Sequence, residues 1–176
     1  MNALSSRLKA IAVVALVFAA AGFGLLGVIF GLNALPFSVP FGAEIASYRP
    51  LDTVNALRDL RPIVALTAAF LVAAAFVLIL NTGYCDRMLE ILADVLLMVM
   101  AAIAGFLAGY WAFLRFAGYD NFISAPFLQA ALICPVIVFV VSLVPPQRLR
   151  GSKLLQIAAT VVFLLAGPAL LIGFRP

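Results

Sequence analysis

The apolar positions of this chain fall into long runs separated by short polar breaks. The runs cover residues 8–32, 62–80, 88–114, 126–144 and 154–173. A hydrocarbon core of about 30 Å takes roughly 20 residues of α-helix. Each run is of that order, so the pattern predicts five transmembrane helices. The fold class expected is an all-α, polytopic helix bundle forming a single integral membrane domain over residues 1–176. Prolines punctuate it. Pro62 and Pro126 fall in first helical turns, where a missing N–H costs nothing. Pro145-Pro146 ends the fourth run, because proline cannot continue a helix. Pro135 and Gly167-Pro168 lie inside runs and predict kinks.

Two segments need a closer reading. The first run follows Arg7 and Lys9, and Ala19 and Ala21 resemble a signal-peptide cleavage site. The apolar run continues about ten residues past that point, longer than a typical signal core. It reads as an uncleaved first span. The loop at 33–61 is broken early by Pro36, Pro40 and Gly42. From Leu51 to Leu60 the residues Leu51, Val54, Leu57 and Leu60 recur every third position, with Asp52, Asn55, Arg58 and Asp59 between them. That pattern predicts a short amphipathic helix at 51–60, between spans 1 and 2 on the outer membrane surface. A partner-docking surface is the sharper alternative.

The third run has two faces. At about 100° per residue, Arg87, Glu90, Asp94, Leu97, Ala101, Gly105, Ala108, Ala112 and Arg115 share one stripe. Met88, Leu92, Val95, Val99, Ile103, Phe106, Tyr110 and Phe113 fall opposite, and read as the lipid face. Small residues permit close backbone approach, and Gly105 with Gly109 makes a GxxxG spacing. The first run has its own small stripe, Ala20, Gly24, Gly27 and Gly31. Helix packing is therefore expected at Gly24, Gly27, Gly31, Ala101, Gly105 and Gly109. Ala21-Gly22-Phe23 and Ala104-Gly105-Phe106 echo each other in two spans that run in the same direction. Chance between apolar helices explains that echo.

Asp94 lies about two turns inside its span. A carboxylate at depth costs roughly 2.5–3.5 kcal/mol on insertion scales, so it is expected to face protein or water and to have a partner. Lys153, Gln156 and Thr160 share a face of the fifth run. With Asp94 and Glu90 they form a candidate intramembrane polar site. One reading is a proton or cation site. The other is a structural polar clamp.

Composition narrows the classes further. Of 176 residues, 66% are apolar and 10% charged, which excludes a soluble or disordered chain. There is no histidine. This argues against haem, His-bound metals and His-based nucleophilic catalysis, so no cofactor and no enzymatic activity are expected. Cys85 and Cys134 make no CxxC pair and read as free thiols. The net charge of +4 is spread thinly over the loops, which does not suggest nucleic acid. Arg7, Lys9, Arg87, Arg148, Arg150 and Lys153 gather on one side, and Arg49, Arg58, Arg61, Arg115 and Arg175 on the other. The clustering of the first set, and the acids Glu44, Asp52 and Asp59 beside the second, predict a cytoplasmic N-terminus and an outer C-terminus. Loop 33–61 is then extracytoplasmic. Nine arginines against two lysines, with abundant alanine and glycine, suggest a bacterial gene and hence the inner membrane. The function expected is a non-catalytic integral inner-membrane subunit or accessory protein of a larger membrane assembly, such as a transporter. Its partners would be lipid and other membrane subunits, or copies of itself. The alternative is an autonomous transporter or channel, acting as a homo-oligomer, with Asp94 in the pathway.

Overall fold

A computed structural model describes residues 2–33, 61–118 and 125–173. The expected helix at 51–60 lies outside them. The described residues are helical, with no strand among them. The helices are α1 (Asn2–Asn33), α2 (Arg61–Leu80), α3 (Gly83–Phe116), α4 (Ala125–Leu143), α5 (Pro146–Leu149) and α6 (Lys153–Gly173). Among them, α1, α2, α3 and α6 are long and apolar enough to cross a bilayer, and α4 contributes a shorter apolar stretch, Ala131–Leu143. These are the helices of a multi-pass membrane protein. α4 and α6 run on through Pro135 and Pro168. The single-turn helix α5, begun by Pro146, occupies what reads in sequence as a plain loop.

The chain forms two compact units. One comprises Met1–Asp59 with Ala101–Ser124, and the other Leu60–Met100 with Ala125–Pro176.

In the first unit α1 packs on the second half of α3, and the two helices run parallel. Ala15 meets Gly105, Ala19 meets Gly109, and Phe23 meets Phe113, so the contacts climb both helices together. The backbones touch. A Cβ added at Gly105 would come within 2.7 Å of the Ala15 carbonyl carbon, and one at Gly109 within 2.6 Å of that of Ala19. A Cβ at Gly22 would lie 2.5 Å from the Phe106 carbonyl oxygen. Only glycine permits this approach. Further along, Leu26, Tyr110 and Leu114 form a fully buried cluster, flanked by Phe30, Phe106 and Phe113. Phe113 stacks edge-on against Phe23, with centroids 5.2 Å apart.

The sequence pattern needs two corrections here. Tyr110, assigned above to the lipid face, is fully buried, whereas Ala108 and Ala112 from the small stripe are exposed. The close approach in α1 uses Ala15, Ala19 and Gly22. A Cβ at Gly24 or Gly31 would meet nothing within 4 Å among the described residues, and one at Gly27 only the Phe113 ring edge at 3.7 Å.

In the second unit α2 is the central helix. Val64, Thr67, Ala68, Leu71, Ala74, Ala75 and Leu78 recur at helical spacing and are all buried. α2 packs most extensively on α6, and also on α4 and α5. α2 and α6 are antiparallel: Gly167 lies against Ala68 and Val72, while Gln156 reaches Leu78. The first half of α3 buries Asp86, Ala93, Leu96, Leu97 and Met100.

Candidate functional site

The polar chemistry of the second unit is concentrated where α2 ends and α3 begins. α2 stops because Asn81 takes a left-handed conformation (φ 49°), a usual helix C-terminal cap. Thr82 then starts α3, its hydroxyl accepting the Cys85 N–H at 3.3 Å. Within this tight reversal the last carbonyls of α2 need donors from outside the helix, and Asp86, in the first turn of α3, presents its carboxylate beside them.

α5 and α6 supply the side chains that meet them. Arg150, just past α5, grips Asp86 in a two-pronged pair: its Nη1 donates to Oδ2 at 2.9 Å and its Nη2 to Oδ1 at 2.8 Å. Gln147 donates to the same carboxylate at 2.9 Å. Arg150 Nη2 also donates to the Val77 carbonyl, at the end of α2. Gln156, in the first turns of α6, donates to the Leu78 carbonyl at 2.6 Å. The Arg150 and Asp86 side chains are 11% and 6% exposed, so the pair is largely withdrawn from solvent. Helix dipoles favour the arrangement, since the cation meets the C-terminal end of α2 and the carboxylate sits in the first turn of α3.

Hydroxyls deeper in the spans are bonded locally. Thr67, Ser142 and Thr160 each donate to a carbonyl three or four residues earlier on the same helix. Such local bonds satisfy a polar group in hydrocarbon, and Thr67 also meets the Cys134 thiol of α4. Cys85 and Cys134 are free thiols, and Cys134 is buried beside Thr67. Among the described residues no group of three His, Cys, Asp or Glu side chains could hold a metal ion.

The residues anticipated from sequence are placed as follows. Glu90 and Asp94 are exposed on α3, and Lys153 is exposed at the start of α6. Gln156 is half-buried and bonded to α2, and Thr160 donates back to the Gln156 carbonyl at 2.8 Å. Deep burial of an acid falls on Asp86, eight residues before Asp94. Sequence reasoning missed Asp86 because it precedes the apolar run, in a stretch that reads as a turn but forms the start of α3, and counted Arg150 only as a topological charge. The signal available was that the sequence reads both as lying in short, proline- or glycine-bounded stretches expected on the same side of the membrane.

An open groove of about 620 Å³ runs along α2, α4 and α6, lined by Leu71, Val136, Val140, Val162, Phe163 and Leu170 among other apolar residues. Neither Asp94 nor the Arg150–Asp86 pair borders it. No protein-family model, curated protein or solved structure matches the chain.

Proposed function

We propose that this chain is a non-catalytic integral subunit or accessory protein of a larger membrane assembly, such as a transporter, of the bacterial inner membrane. One observation carries the reading. Arg150, Asp86, Gln147 and Gln156 are spent on each other and on helix ends, while long apolar faces stay uncovered by the described residues. Half of the most apolar window of α2 is buried, against 11% for α1 and 6% for α6. On α6, Leu154, Ile157, Val161, Leu165 and Ile172 are all exposed, at helical spacing. Such faces fit partner helices as well as lipid. The groove agrees with this reading, since its apolar lining offers nothing to a hydrated ion.

The test is extraction in a mild detergent followed by mass analysis of intact particles. The expected particle is several times heavier than the 18.7 kDa chain and contains other membrane proteins. A particle holding this chain alone, with solute flux in vesicles that is lost in Asp94→Asn, would favour the autonomous transporter.

A further inference from the structure

We propose that the end of the second unit carrying α5 is a docking surface for the anionic headgroups of phospholipids in the adjoining leaflet. The Arg150–Asp86–Gln147 clasp holds α5 against the start of α3. The Gln156–Leu78 bond holds the start of α6 against the end of α2. Together they bring Arg87, Arg148 and Lys153 to one end of the unit, and all three are exposed. Arg150 neutralises Asp86. Among the described residues the exposed acid nearest that end is Glu90, one turn below Arg87.

The neighbours of these cations fix their depth. Arg87 is followed by exposed Met88 and preceded by Tyr84, which is 76% exposed. Lys153 is followed by Leu154 and Leu155, and Arg148 comes shortly after Leu143 and Val144, all exposed. Apolar side chains so placed belong in hydrocarbon, and an exposed tyrosine beside them belongs to the interfacial belt. The cations therefore sit level with lipid phosphates, where arginine can chelate a phosphate with two N–H groups. An acidic soluble protein would have to approach from above that level.

The experiment compares lipid retention by the full chain purified in nonionic detergent. It is exposed to phosphatidylglycerol or phosphatidylcholine and weighed intact by native mass spectrometry. Preferential retention of phosphatidylglycerol is expected, weakening about fivefold for each of R87Q, R148Q and K153Q. R148K and K153R should retain it, and helix content should be unchanged in every variant because these side chains are exposed. Raising salt from about 50 to 500 mM should weaken retention by the wild-type chain, which tests the proposal without any variant. Equal retention of the two lipids, a salt-independent preference, or an undiminished preference in the triple glutamine variant would each overturn it. So would inorganic phosphate competing as well as phosphatidylglycerol, which would mark a site for free phosphate.

Discussion

The two units solve one problem by opposite means. In a bilayer, apolar side chains gain little by leaving lipid for one another, so helices need another reason to associate. The first unit removes side chains altogether: Gly22, Gly105 and Gly109 let α1 and α3 meet backbone to backbone. The second unit adds polar side chains at the helix ends, where Arg150, Gln147 and Gln156 tie α5 and α6 to the ends of α2 and α3. The first contact is specific through shape and the second through charge. They should fail to different substitutions.

Breaking the charged clasp should have the largest effect. Asp86→Ala leaves a mostly buried guanidinium without its carboxylate, and is expected to cost about 3–5 kcal/mol in unfolding from detergent. Adding Arg150→Met should restore more than half of that loss, because the burden is the orphaned charge. A double variant as unstable as the single one would show that the pair matters for more than mutual neutralisation. Next comes the glycine contact. Gly105→Ala or Gly109→Ala should cost about 1–3 kcal/mol by forcing α1 away from α3. Trp111, the chain's single tryptophan, lies on α3 in this unit, so its emission should shift with these variants. Gly24→Ala and Gly31→Ala should stay within about 0.5 kcal/mol, since the added methyl meets nothing among the described residues. Gln156→Leu should cost about 1 kcal/mol, the scale of an interhelical hydrogen bond in a membrane. Thr160→Val should likewise stay within about 0.5 kcal/mol, because that hydroxyl serves only its own helix. Thermal or denaturant unfolding, followed by circular dichroism, ranks all of these on one scale.

That ranking also marks where sequence was informative. Helix ends were legible because they depend on local chemistry. Pro62 and Pro145-Pro146 mark boundaries that fall within a few residues of those observed. Burial was less legible. On a soluble helix an apolar stripe reports the core, but in a bilayer the outside is apolar too, so Tyr110 and Met88 look alike in the pattern. Tyr110 is buried because Leu26 and Leu114 close around it, a tertiary fact. The small stripe of α1 misled similarly. Ala20, Gly24, Gly27 and Gly31 make the better pattern, yet Ala15, Ala19 and Gly22 are the residues that fit α3. The candidate site was half legible. Gln156 and Thr160 are bonded within it, but its charged centre, Asp86 at the start of α3 and Arg150 just past α5, forms a pair that depends on the register of four helices.

The parallel contact between α1 and α3 has a consequence in time. Ninety residues separate Ala15 from Gly105, and Ala19 from Gly109. At about 5–20 residues per second of synthesis, α1 waits on the order of 5–20 s before the glycines it fits are made. Through that interval the face formed by Ala15, Ala19 and Gly22 is open to any other helix already in the membrane. Whatever guards α1 during those seconds decides whether its native partner is the first it meets.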